Sequence, residues 1–269
     1  MYKKKRLNLG LRDADSRFGM GYALAAFFVA PGLALGSFLN VVAARLPLRR
    51  SVVSPPSACM GCGGRIAWYD NIPLLSYVLL RGRCRRCAER ISPVYPAVEL
   101  LTAVLVAGCV LAFGLTPHAA IAAFFCAVLV AVSATDLEHR IIPNRIVVPA
   151  AAVVLVAQSA RTLSPEWTVA ALAASSFLLA AALAYPAGMG MGDVKLAVLM
   201  GAALGRTVSV ALMVGMMAAL VPGIFMLVRH GSAARKMGIP FGPFLALGSV
   251  VALFWGHDLL HAYFSLTRH

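Results

Sequence analysis

AAIAAFFCAVLVAVSATD, residues 119–136, decides the fold. From Ala119 to Thr135 the run carries no charge, and it ends on a carboxylate, Asp136. A helix needs about 20 predominantly apolar residues to cross a bilayer. Comparable runs lie at 19–44, 95–115, 117–135, 146–160, 168–186, 194–205, 207–228 and 239–265, separated by short breaks rich in Gly or Pro. Of the 269 residues, 61% are apolar and 13% charged, against about 45–50% and about 25% in a soluble domain. This composition excludes a water-facing globular protein. It predicts an all-α polytopic membrane protein with about eight transmembrane helices.

One run is short. Residues 194–205 would rise only about 18 Å as a helix, against a hydrocarbon core of about 30 Å. This segment is expected to be tilted, re-entrant or continuous with the next. The expected organisation is a basic N-terminal tail (1–18), a first span (19–44), a cytoplasmic four-cysteine loop (45–92) and a transmembrane bundle (93–269). The start lacks the form of a cleavable signal peptide, because Asp13, Asp15 and Arg17 separate its basic residues from an overlong apolar run.

The formal net charge of +14 would suggest nucleic acid in a soluble protein. In a membrane protein, Lys and Arg report topology instead. Nine basic residues sit in the 45–92 loop and six in later loops of the same side, against Arg161, Arg206 and Arg268 on the other. Six more occupy the N-terminal tail and run against the rule. The short loops place 45–92 in the cytoplasm and favour contact with anionic membrane lipid.

Within that loop, Cys59-Met-Gly-Cys62 and Cys84-Arg-Arg-Cys87 form two knuckles separated by 21 residues. Two-residue spacing lets both thiolates of a knuckle reach one metal, and two knuckles complete a tetrahedral zinc site. Gly61, Gly63 and Gly64 supply the turn of the first knuckle. Five arginines between 81 and 90 are expected to favour the thiolate. Two disulfides are the alternative, but they need an oxidising compartment. No nucleic-acid partner is expected, since the module is too short to contribute a groove-entering helix. Cys109 and Cys126 fall in apolar runs and read as small core residues.

Carboxylates inside apolar segments are costly and point to function. Here they are Glu99, Asp136, Asp193 and Asp258, and Asp258 reads as structural. Asp193 sits in Gly188-Met-Gly-Met-Gly192-Asp193-Val-Lys195, just before an apolar helix. Counting crossings puts Asp136 and Asp193 at the same end of the bundle. Two carboxylates about 3 Å apart share one proton, so that one serves as general base on water and the other as general acid. The glycines would let an extended substrate backbone approach. Taken singly, Asp136 could be an interfacial cap and Asp193 a helix N-cap. Glu99, about one turn into the second span, is expected to be able to face the same cavity.

These residues resemble the type IV prepilin peptidases, bifunctional leader peptidase/N-methyltransferases of the GxGD aspartic class. The likeness runs from about residue 32 onward: Gly36-Ser-Phe-Leu-Asn-Val41 with Arg45-Leu-Pro47, then Trp68-Tyr-Asp-Asn-Ile-Pro73, Ser76-Tyr77 and Arg81-Gly-Arg-Cys84 around the cysteines. It continues through Ile91-Ser92, Tyr95-Pro96 and Glu99-Leu-Leu-Thr102, Asp136 with Ile142-Pro143-Asn144, Gly190-Met-Gly-Asp193-Val-Lys-Leu196, and Pro240-Phe-Gly-Pro-Phe-Leu-Ala-Leu-Gly248. Each motif is weak alone, and the ordered set is specific. The chain departs from the pattern at Val94, where the family carries Arg, and at Asn144, where it often carries Asp.

The resemblance implies a substrate, a prepilin or type II secretion pseudopilin with a short basic leader ending in Gly before a hydrophobic helix. Asp136 and Asp193 would cleave after that Gly at the cytoplasmic face of the bacterial inner membrane. The new N-terminus would then be methylated with S-adenosylmethionine. No nucleotide-binding loop announces the second step. Family likeness points to the 45–99 region, with Glu99, Asn71 and Tyr77 as participants. A peptidase without methylation, a proton-coupled transporter and a zinc-dependent pilus-assembly scaffold remain as alternatives.

Overall fold

The structure, a computed structural model, describes residues 2–185, 189–231 and 239–267. Pro186 and Gly188 of the glycine-rich break, and Arg235, Lys236 and Arg268 of the charge pattern, lie outside the described residues. The helices are α1 (Tyr2–Arg45), α2 (Leu75–Leu79), α3 (Val94–Phe113), α4 (Pro117–His139), α5 (Asn144–Thr162), α6 (Glu166–Ala184), α7 (Met191–Leu204), α8 (Val208–His230) and α9 (Gly242–Leu266). Short 3-10 turns occur at Trp68–Asn71 and Gly205–Thr207. Among the described residues there is no extended strand, only the isolated bridges Ala58–Arg65 and Arg83–Arg90. The N-terminal tail is helical and continuous with the first span in α1, whose apolar part is Gly21–Arg45.

The chain forms two compact units. The first comprises Met1–Asn40 and Val53–Ala123. There α1 and α3 pack at backbone distance, because Gly32 and Gly36 present no side chain. A Cβ on Gly36 would lie 2.6 Å from the Cα of Glu99, and one on Gly32 would lie 2.7 Å from the Cα of Ala103. Small residues spaced by one turn are the usual device for close helix approach where hydrophobic burial drives nothing. Asn40 Nδ2 fastens the end of this contact by donating to the Tyr95 carbonyl at 3.0 Å.

The second unit comprises Val41–Val52 and Phe124–His269. Here α7 packs against α6 and α5, and α8 against α9. Phe125, Leu129, Leu178, Leu199 and Leu245 are fully enclosed. By contrast Leu172, Leu183, Val221 and Phe225 are exposed, an outward apolar surface suited to lipid and not to water.

Among the described residues, seven stretches are long and apolar enough to cross a membrane, and Met191–Arg229 counts as one of them. That stretch is in fact two helices. It breaks at Gly205, whose φ is +57°. Arg206 beside it binds Glu166 at the start of α6. The next helix then runs antiparallel to α9: Thr207 meets Gly256, Ala211 meets Gly248 and Gly215 meets Phe244. So α7 leads away from the Asp193 end and α8 leads back, which accounts for the short 194–205 run.

Candidate active site and metal centre

Two helix ends meet at Asp136. It lies in the last turn of α4, where the carboxylate accepts the Gly242 backbone N–H at 2.9 Å from the start of α9. A Cβ on Gly242 would stand 2.8 Å from Asp136 Oδ2 and 3.3 Å from its Cβ and Cγ. Glycine there makes room for the carboxylate itself. Asp193, in the first turn of α7, accepts the Gly190 N–H at 3.2 Å. Both aspartates are buried.

The loop after α4 holds α7 against it. A Cβ on Gly192 would lie 2.8 Å from the Ile142 Cβ, and Lys195 Nζ donates to Asn144 Oδ1 at 2.9 Å. Asn144, the position that departs from the family pattern, therefore still receives the lysine through its amide oxygen. The glycines divide differently from the expectation that both admit substrate. The space beside Gly192 is filled by Ile142, whereas a Cβ at Gly190 would meet nothing closer than 3.7 Å, from Asp193 itself. The capping expectation for Asp193 is met in altered form, since it sits at the third helical position and reaches back to the residue before the helix. A carboxylate there also matches the positive end of the helix dipole.

The four cysteines converge in the first unit. Their sulfurs lie within 4.8 Å of one another, with Cys59 and Cys87 at 3.7 Å. Zinc–sulfur bonds of about 2.3 Å in a tetrahedron place sulfurs about 3.8 Å apart, so the cluster fits a tetrahedral metal. None of the four forms a disulfide. Each knuckle closes with backbone bonds: Gly63 N–H to the Cys59 carbonyl and Ala88 N–H to the Cys84 carbonyl, at 2.9 and 3.0 Å.

The thiols are unequal. Cys84 is lowered to about 6, first by the Cys87 and Arg86 backbone N–H groups and then by the Cys59 thiol. Cys87 is pushed up to about 12: the Glu89 backbone N–H draws it down, but desolvation and the three neighbouring thiols outweigh it. The expectation that arginine charge activates the thiols is thus corrected. Backbone amides, not arginine charge, lower the Cys84 thiol, and two of the arginines pack within the loop. Arg85, inside the second knuckle, forms a two-pronged pair with Asp70, with donor distances of 2.7 to 3.0 Å. Its guanidinium also sits 5.7 Å from the Tyr69 ring centre. Arg86 packs over Gly64 beside Cys62.

Glu99, Asn71 and Tyr77 are not joined to one another by any hydrogen bond among the described residues. Glu99 is buried and accepts the Leu74 N–H at 2.7 Å. Asn71 ends the Trp68–Asn71 turn on the surface, and the Tyr77 ring lies over Gly82. The sequence points to no role for Gly242 or for a pairing of Asp70 with Arg85. Gly242 was visible only as part of the Pro240–Gly248 motif, and the Asp70–Arg85 pair only as opposite charges 15 residues apart.

Residues 31–113 match the bacterial peptidase A24 N-terminal domain, and residues 123–228 match the type IV leader peptidase family. A prepilin leader peptidase/N-methyltransferase of Bacillus subtilis is 34% identical over 244 residues, covering 87% of this chain and 96% of the relative. One from Xanthomonas campestris is 32% identical over 288 residues, covering 93% and 96%. One from Myxococcus xanthus is 48% identical over 129 residues, covering 48% of this chain and 38% of that relative. No solved structure matches.

Proposed function

The chain belongs to the type IV leader peptidase family, within the prepilin leader peptidase/N-methyltransferases, and we propose that Asp136 and Asp193 are the aspartic dyad that removes the leader. The carrying observation is their convergence at one end of the bundle, with Gly242 supplying both an N–H and the space for the Asp136 carboxylate. A transporter needs carboxylates that gate a path near the midplane. Both aspartates here end or begin a helix at a single face, which favours hydrolysis.

The chemistry follows from one shared proton. The ionised carboxylate takes a proton from water as the water oxygen attacks the carbonyl carbon of the last leader glycine. The protonated partner gives its proton to the carbonyl oxygen, so a neutral tetrahedral diol forms. The C–N bond then breaks as a proton passes to the departing amine, and the dyad returns to its starting state. Glycine at Gly190 leaves open space beside Asp193 for the extended peptide.

The amine so released is the nucleophile of the second activity. S-adenosylmethionine would supply the methyl group, its carbon–sulfur bond breaking to leave S-adenosylhomocysteine as the amine nitrogen takes the methyl and gives up a proton. Cys59, Cys62, Cys84 and Cys87 would hold zinc, whose binding would tie the two knuckles together and order the loop. Substrates are prepilins and pseudopilins with basic leaders. Cleavage at the cytoplasmic side of the inner membrane is the reading favoured by the crowding of Lys and Arg in the short loops. The test is to incubate the solubilised protein with a prepilin and S-adenosylmethionine and weigh the products. The expected masses are the free leader and a mature pilin heavier by one methyl group. An uncleaved prepilin overturns the peptidase reading, and cleavage without added mass overturns the methyl transfer.

A further inference from the structure

In the first unit, an open groove of about 480 Å³ lies just before α3, lined by Tyr77, Arg81, Arg83, Arg90 and Ser92. Three features set it apart from an ordinary solvated face. Arg83 and Arg90 are directly opposed across an antiparallel bridge, an arrangement of like charges that costs stability. The geometry is nonetheless enforced, by the Ile91 N–H to Gly82 carbonyl bond at 2.8 Å and the Cys84 N–H to Glu89 carbonyl bond at 2.8 Å. Among the described residues, no carboxylate pairs with Arg81, Arg83 or Arg90. The neighbouring Arg85, by contrast, is fully engaged with Asp70.

Three unpaired guanidiniums around one groove, with hydroxyls of Tyr77 and Ser92 on its walls, are complementary to a phosphate group. Position selects the source. Pro93 closes the groove and α3 enters the apolar phase at Val94, so the arginines stand where a membrane span begins. We propose that this groove binds the phosphate of an anionic phospholipid, with Arg83 and Arg90 gripping the headgroup from opposite sides. Basic pockets at the ends of transmembrane helices bind such headgroups. The same charge argues against the other molecules this enzyme handles. S-adenosylmethionine carries a sulfonium and an ammonium against a single carboxylate, and a basic leader would be repelled. The bound lipid would stabilise the loop by separating the opposed arginines.

The test uses the full-length protein in nanodiscs of phosphatidylcholine, with and without phosphatidylglycerol, and native mass spectrometry of the lipids it retains. The wild type should keep phosphatidylglycerol in preference to phosphatidylcholine. Arg83→Gln with Arg90→Gln should lower that preference by at least about fivefold. Arg65→Gln removes a charge from the first knuckle and not from the groove, and should leave the preference unchanged. If the glutamine pair also disturbs the loop, Arg83→Lys with Arg90→Lys decides: it keeps the charge and should keep most of the preference. Equal retention by the wild type and the glutamine pair overturns the proposal, as does an equal loss in Arg65→Gln. Displacement of the lipid by inorganic phosphate at comparable concentration overturns the lipid as the source.

Discussion

The buried carboxylate of Glu99, on the second turn of α3, accepts the backbone N–H of Leu74 at 2.7 Å. Leu74 has φ +60° and ψ −45°, a conformation that costs a non-glycine residue roughly 1–3 kcal/mol. Glu99 therefore ties the span to a loop residue held in a strained backbone conformation. The Ser76 hydroxyl continues the tether by donating to the Tyr69 carbonyl at 2.9 Å and accepting the Ile72 N–H at 3.1 Å.

Substitutions at Glu99 separate anchoring from methyl-donor recognition. Glu99→Ala leaves the Leu74 N–H without its acceptor and should destabilise the loop by roughly 1–3 kcal/mol, seen as earlier proteolysis between residues 45 and 92. Glu99→Gln retains an oxygen for Leu74 and should preserve the loop. If Glu99→Gln also retains methyl transfer to a precleaved pilin, Glu99 is a positioning residue. Loss of S-adenosylmethionine binding in an intact loop would assign its charge to the donor.

Asp136→Asn or Asp193→Asn alone should reduce leader cleavage by at least about 10³-fold, with metal content and methylation of precleaved pilin intact. Substantial cleavage by either variant would sink the dyad.

Gly242→Ala places a methyl 2.8 Å from Asp136 Oδ2 and must displace the carboxylate or the start of α9. Displacements of this size cost about 10²-fold in rate. Cleavage kinetics on a prepilin should show the loss in kcat more than in KM. An unchanged kcat would remove the cradle from the catalytic account.

The cysteine cluster should hold about one zinc ion per chain, measured by elemental analysis and lost in Cys59→Ser or Cys87→Ser. Its pH dependence follows from Cys84. The folded thiol lies near 6, below the ordinary thiol value of 9.0, so its contribution to the ordered loop is complete above that ordinary value. That contribution is lost as pH falls through about 6. Protons compete with the metal for the thiolates, so zinc release to a chelator should accelerate as pH falls. A flat profile would show that the cysteines do not govern retention.

Arg85 holds the Asp70 carboxyl below its ordinary value, through the hydrogen bond first and the charge second. The sign is that of a depressed acid: the pair is present above the usual carboxylate range and is lost as pH falls through the lowered value. Asp70→Asn should speed chelation of the metal a fewfold at neutral pH, because the exposed pair is worth little by itself but steadies the Cys84–Cys87 knuckle. An unchanged chelation rate would confine the pair to the surface.

Features carried by local chemistry were legible in the sequence. The spans follow from apolar length, the knuckles from two-residue cysteine spacing, and Asp136 and Asp193 from the cost of charge in a hydrocarbon setting. What escaped depends on chain reversal. The sequence separates the 194–205 and 207–228 runs but does not say whether the short one turns back at Gly205 or continues, because hydropathy is blind to direction. The Gly242 N–H reaches Asp136 across 106 residues, and Leu74 reaches Glu99 through a loop with no periodicity to read. The origin of the low Cys84 value escaped for another reason: backbone amide orientation is invisible to a count of arginines.

The hydrogen bond from Gly242 to Asp136 also sets an order in time. Chains are made from the N-terminus, and both aspartates are synthesised before α9 begins. A polypeptide interrupted before residue 242 would hold the two carboxylates and lack the amide that cradles one of them. For the proposed dyad, the carboxylate cradle would be complete only once the last helix is in place.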